Sequence, residues 1–109
     1  MKITTLTGPI ANYIAAANTQ DTEAETACFT EGAVVHDEKQ DRRGIAAIRK
    51  WASEVSDKYR PTLEVLDIKQ TGSTTVLAGR VSGDFPNSPV ELRYAFTLNG
   101  EKIERLEIA

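Results

Sequence analysis

Between Gly8 and Asn18 the apolar residues Ile10, Tyr13, Ile14 and Ala17 recur at i, i+3, i+4 and i+7, the spacing of one helical face. Thr7 is placed to cap this helix, and Pro9 suits its first turn. "NTQD" breaks it. Asp21 or Thr22 then starts a second, shorter helix running to about Cys28, with Glu23 and Glu25 near its positive end. "EGAVVHD" reads as a turn and a short strand, and "EKQDRR" as a polar loop. Gly44 precedes a third helix, Ile45 to about Tyr59, on which Ile48, Trp51, Ala52, Val55 and Tyr59 share a face. Pro61 lies just beyond its end, where it cannot continue the helix.

From there the pattern changes to a period of two. "TLEVLDIKQ" carries Leu63 and Val65 in one phase and Leu66 and Ile68 in the other, a break that predicts a bulge and a bent sheet. After the turn "TGS", "TTVLAGRVSG" is a further strand, followed by the loop "DFPNSP". In "VELRYAFTL" the residues Val90, Leu92, Tyr94, Phe96 and Leu98 alternate with Glu91, Arg93, Ala95 and Thr97, so one face is buried and one is wet. Asn99–Gly100 is a hairpin signal, and "KIERLEI" forms the last strand. The order is helix, helix, strand, helix, then four strands in meander. Helices segregated from a mostly antiparallel sheet define the α+β class. A strongly bent sheet over the long third helix leaves a tapered hollow, with Trp51 and the odd-phase strand residues as its lining.

Composition adds bounds rather than an activity. A chain of 109 residues suits one domain, 1–109. Its net charge of −3 comes from interspersed acids and bases, a pattern that gives no reason to expect nucleic acid or an anionic membrane surface. There is no apolar run long enough to span a bilayer, and Asn12 and Asn18 interrupt any signal-peptide core. The single cysteine, Cys28, cannot form an internal disulfide; it fits a reducing compartment and reads as a small core residue. A soluble cytoplasmic protein is expected. One histidine beside Asp37 and Glu38 does not give ligand spacing for zinc or iron, and phosphate loops, Cys–His pairs and nucleophile elbows are absent, so neither metal nor cofactor is expected.

Four pieces, "YIAAANTQDTEAETACFTEGAVVHD", "RGIAAIRKW", "GRVSGDFPNSPVELRYAFTL" and "GEKIERLEI", in this order, resemble the nuclear transport factor 2-like superfamily, in particular its SnoaL-like branch of polyketide cyclases and relatives of ketosteroid isomerase. The resemblance implies a cone-shaped α+β barrel of the NTF2-like or cystatin-like kind, with three N-terminal helices packed on a strongly bent sheet. It implies a pocket between helices and sheet, and homodimers through the outer sheet face. It implies no single activity, because this fold hosts many. By likeness to ketosteroid isomerase, Tyr13 stands where that family carries its tyrosine and Asp37 where it carries its base. The third group, a protonated acid, has no counterpart in "VELRYAFTL", and one missing oxyanion donor typically costs ~10²–10³ in rate.

Asp37 is the candidate general base, or else a solvated carboxylate at a strand end. His36 is its neighbour, and on an extended strand the two point to opposite sides, which argues against a dyad. His36 is the reserve acid–base candidate. Tyr13 is a buried tyrosine or a pocket donor. Trp51, Phe29, Tyr59, Tyr94 and Phe96 are the expected substrate wall. Arg80 reads as half of a salt bridge on the outer sheet, with an inward cation as the alternative. Two functions follow. One is a pocket for a small, largely apolar organic molecule, with cofactor-free isomerisation, cyclisation or hydration. The other is a non-catalytic dimerising scaffold, its hollow filled by its own side chains and its Glu- and Arg-bearing sheet face paired across a two-fold axis.

Overall fold

The computed structural model describes residues 8–109. The proposed Thr7 cap lies outside them. Three helices, α1 (Gly8–Asn18), α2 (Thr22–Thr26) and α3 (Ile45–Tyr59), pack on strands β1 (Phe29–Asp37), β2 (Gln40–Arg43), β3 (Thr62–Thr71), β4 (Thr74–Ser82), β5 (Val90–Asn99) and β6 (Lys102–Ile108). The strands form a single sheet in the order β2-β1-β6-β5-β4-β3. Every neighbouring pair is antiparallel except β1 with β6. This is the expected α+β architecture. The sheet is open, with β2 and β3 at its edges.

On α1, Ile10 and Tyr13 of the predicted stripe are buried and Ile14 and Ala17 half-buried, with Ala16 buried beside them; on α3, Ile48, Trp51 and Ala52 are buried and Val55 and Tyr59 half-buried. Asp21 caps α2 by accepting a hydrogen bond from the Ala24 amide at 3.1 Å. Between helices and sheet lies one core that includes Phe29, Val35, Leu77, Phe96, Ile103 and Leu106. Cys28 is buried at its edge. No described helix is long and apolar enough to cross a membrane.

Curvature comes from breaks in register. The β3–β4 ladder shifts between Val65 and Asp67, where the apolar phase of "TLEVLDIKQ" changes sides. Further shifts lie between Phe29 and Val34 on β1 and between Thr97 and Leu98 on β5. Leu66 is left unpaired on β3 and Glu104 on β6, four residues of β1 stand against one of β6, and the strands bend to absorb the mismatch.

The segment "EKQDRR" departs from expectation. It is not a loop: Gln40–Arg43 form β2, a hairpin with β1 in which His36 faces Asp41 and Asp37 faces Gln40. The turn consists of Glu38 (φ 54°) and Lys39 (φ 64°), both in the left-handed region that two-residue hairpins require. Neither residue type advertises that conformation, which Asn-Gly would have done. The Arg42 guanidinium compensates by bonding the Asp37 and Gln40 carbonyls across the turn.

Polar clamps fix the helices over the concave face. The Asn18 amide donates to the Leu63 carbonyl at 3.0 Å and accepts from the Leu63 amide at 2.7 Å, tying the end of α1 to the start of β3. Gln20 donates to the Pro61 carbonyl at 2.9 Å and accepts from Ser56 Oγ at 2.7 Å, which adds α3 to the same knot. At the end of α3, the Asp84 amide bonds the Tyr59 carbonyl at 2.7 Å. Gly83 permits that approach, since a Cβ there would sit 2.5 Å from the same carbonyl. Asn18→Ala leaves both Leu63 groups without this partner and is expected to destabilise the fold by roughly 1–3 kcal/mol in urea titration. A loss below about 0.5 kcal/mol, the level of an ordinary surface change, would show the clamp to be dispensable.

Candidate functional site

The concave face of the sheet and the underside of the helices enclose a cavity of about 610 Å³. Its wall is largely aromatic and aliphatic: Tyr13 from α1, Trp51 and Tyr59 from α3, Val81 from β4, Phe85 from the β4–β5 loop and Tyr94 from β5. Asp37 stands in this wall because β1 ends there, where the turn into β2 begins. The Trp51 indole N–H donates to Asp37 Oδ2 at 3.0 Å. That bond holds the carboxylate in one orientation and links α3 to the strand end. Burial raises the Asp37 pKa above its ordinary value, and the Trp51 hydrogen bond pulls partly against that rise by favouring the charged form.

His36 points elsewhere. Its Nδ1 bonds Asp41 Oδ1 at 2.6 Å, across the β1–β2 ladder and among exposed side chains. That bond is the main reason the Asp41 carboxyl titrates below its ordinary value. His36 borders the cavity mouth, but its ring is engaged outside, and it forms no dyad with Asp37. The alternation of side chains along an extended strand separates the two.

Tyr13 is 4 % exposed and reaches the cavity. Burial holds its phenol well above the ordinary value, and the nearby charges of Glu25, Tyr94 and Asp37 add to the rise. Tyr94 is raised in the same way, by burial first and then by Asp37 and Glu25. Both phenols therefore keep their protons and are available as hydrogen-bond donors. Trp51, Tyr59 and Tyr94 line the cavity. Phe29 and Phe96 do not. They stand behind it, their rings 5.9 and 5.6 Å from that of Tyr13 in edge-on contacts, so they support the wall rather than form it. Arg80 is outside too, paired with Glu64 at 3.0 Å on the outer sheet. Among the described residues no group of three or more His, Cys, Asp and Glu is placed to hold a metal ion.

One wall residue was not anticipated. Glu25 of α2 is 6 % exposed and lines the cavity. Burial, with a smaller contribution from Asp21, pushes its carboxyl up to about 7. Its signal in the sequence is faint: it stands three residues before Cys28 and four before Phe29, in phase with the inner side of a very short segment.

A family model described as a SnoaL-like domain matches residues 10–105. The chain belongs to the SnoaL-like family. This SnoaL-like domain is similar to a candidate polyketide cyclase from Sinorhizobium meliloti, with 35 % identity, a TM-score of 0.91 and 95 % of each chain covered. It is also similar to SalBIII, an epoxide hydrolase/cyclase-like enzyme with a role in pyran ring formation in the polyether salinomycin; identity is 25 %, the TM-score 0.81, and 92 % of this chain and 85 % of that one are covered. An NTF2-like protein from Cytophaga hutchinsonii shares the fold at 15 % identity and a TM-score of 0.79, over 99 % of this chain and 93 % of that one. No curated protein matches the sequence significantly.

The raised Glu25 carboxyl has a consequence for stability. Its ordinary value is 4.5 and its folded value about 7, so between those limits the folded state holds a proton that the unfolded chain has released. Stability therefore falls as pH rises through that window. Glu25→Gln removes the fall. The variant is expected to gain roughly 1–3 kcal/mol over wild type at about pH 8 and little at about pH 4, as read by urea denaturation at both pH values. An equal difference at the two would contradict the placement of Glu25.

Proposed function

We propose that this SnoaL-like domain takes up a compact, largely apolar organic molecule in its cone and moves a proton on it, with Asp37 as base and Tyr13 as hydrogen-bond donor. The observation that carries this reading is the Asp37 carboxylate on the wall of an apolar cavity, oriented by the Trp51 indole and shifted upward by burial. A carboxylate in such surroundings is a stronger base than one in water, and the geometry precedes the chemistry.

The step is simple. Asp37 removes a proton from a carbon beside a carbonyl, the C–H pair becomes the carbon–carbon double bond of an enolate, and the carbonyl π pair moves onto oxygen. Tyr13 stabilises that oxygen without surrendering its proton. Returning the proton to another carbon gives isomerisation; attack of the enolate carbon on a second carbonyl gives cyclisation. The likeness to a candidate polyketide cyclase and to an epoxide hydrolase/cyclase-like enzyme supports a ring-forming or ring-opening variant of the same acid–base chemistry. The open hollow favours a ligand over a scaffold that fills the space with its own side chains.

Proton abstraction can be tested without the natural substrate. The compact bicyclic ketone 2-tetralone, incubated with the protein in D₂O, reports exchange at its acidic carbons by NMR. Wild type is expected to accelerate exchange over free carboxylate buffer. Asp37→Asn should remove about 10²–10⁴-fold of that acceleration and Tyr13→Phe about 10²–10³-fold, while His36→Gln leaves it unchanged. Undiminished exchange in Asp37→Asn would reject Asp37 as the base.

A further inference from the structure

The base and the phenol leave one group in the cavity without a task. Glu25 is nearly enclosed, yet among the described residues its carboxyl makes no side-chain hydrogen bond or ion pair. Glu25 lines the hollow itself. It is also the charged group that acts most strongly on the Tyr13 phenol, ahead of Tyr94 and Asp37. Three donors or potential donors, Tyr13, Tyr94 and Glu25, therefore share one apolar chamber with the oriented carboxylate of Asp37. Strand β5 carries no acid for this purpose, and α2 brings one from the helical layer instead.

We propose that Glu25 is the acid of this cavity, its carboxyl donating beside Tyr13 to the oxygen of a carbonyl substrate as that oxygen becomes an enolate. The inference rests on the proton-transfer reading above and extends it to ligand class. The polar end of the ligand is an oxygen that gains negative charge, not an ammonium group. A carboxyl held neutral in an apolar site can donate where an ionised one would repel. Two carboxyls whose surroundings differ divide the work: Asp37, bonded by the Trp51 N–H, accepts the carbon-bound proton, and Glu25, raised by burial, keeps its own and offers it. Neither loses or gains an electron, and no co-reactant is required.

The charged and titratable groups around Glu25 bear on its protonation. Asp21 on its own segment opposes its ionisation. Tyr13 on α1, Tyr94 on β5 and Asp37 on β1 share its chamber, and the Glu25 charge helps hold both phenols above their ordinary value. Cys28 stands close by at the end of its own segment. On α3, Arg49 is committed to Glu23 at 3.3 Å on the exposed side. The His36 ring is turned to Asp41. Lys39, at the mouth, is exposed.

The test uses pentafluorophenolate, already an anion throughout the neutral range, with Trp51 fluorescence and ¹⁹F NMR as readouts. Between about pH 6 and about pH 9, wild type is expected to bind it most tightly at the acid end. Affinity should then fall about tenfold per pH unit once Glu25 ionises. Glu25→Gln, which keeps a neutral donor of the same shape, should flatten the profile; Asp37→Asn should keep the step. A step that survives in Glu25→Gln, or a flat wild-type profile, overturns the proposal and leaves the base assignment standing. Tetramethylammonium binding that strengthens as pH rises and is lost in Glu25→Gln overturns it as well, by making Glu25 a counter-ion. Failure of any phenolate to perturb Trp51 would sink the ligand site as a whole.

Discussion

Where β1 ends, the Trp51 indole donates to the Asp37 carboxylate across 3.0 Å, and α3 is joined to the sheet at the rim of the hollow. A half-buried carboxylate gains from a partner, and an indole N–H is a donor that brings no charge. An arginine in its place would have neutralised Asp37 and depressed its pKa. With Trp51 the group is held still and remains basic. The same side chain is a broad apolar wall, so one residue both orients the carboxylate and lines the hollow.

The hollow exists because the sheet bends and the helices are pinned above it. The register shifts on β1, β3 and β5 supply the bend. The Asn18–Leu63 and Gln20–Pro61 bonds hold α1 and its exit over the concave face, so that the helices are braced against the start of β3. Behind the wall, Phe29 and Phe96 brace Tyr13 from two directions, and Phe96 is itself stacked on Tyr94 at 6.3 Å. Donors fixed in this way need little reorganisation when charge develops on a bound oxygen, which is the condition under which hydrogen bonds contribute most to catalysis.

Much of this was legible from residue spacing. The 3.6-residue stripe through Ile48, Trp51, Ala52, Val55 and Tyr59, the clean alternation of Val90 to Leu98, and the phase break near Val65 give the long helix, the half-buried strand and the bend. The family likeness singled out Tyr13 and Asp37, and both line the one hollow. What stayed hidden shares a cause: it depends on contacts that period cannot encode. The β1–β2 hairpin turns on Glu38 and Lys39, residues that enter the left-handed region because Arg42 and the ladder hold them there. Phe29 and Phe96 sit on inward-facing phases, but phase distinguishes inside from outside, not wall from core. Glu25 lies on a helix of five residues, too short for a periodicity to form, and an acid there reads as a favourable partner for the helix dipole until its burial is seen.

Carboxyl titration by ¹³C NMR reaches the central claim most directly, because it reads Asp37 and Glu25 separately and needs no ligand. The account predicts that Glu25 titrates near 7 and Asp37 above its ordinary 3.8. Replacing Trp51 with Phe should raise Asp37 further, by removing the bond that favours its charged form. Ordinary surface values for both carboxyls, or an Asp37 indifferent to the loss of the indole, would contradict a dry, oriented acid–base chamber.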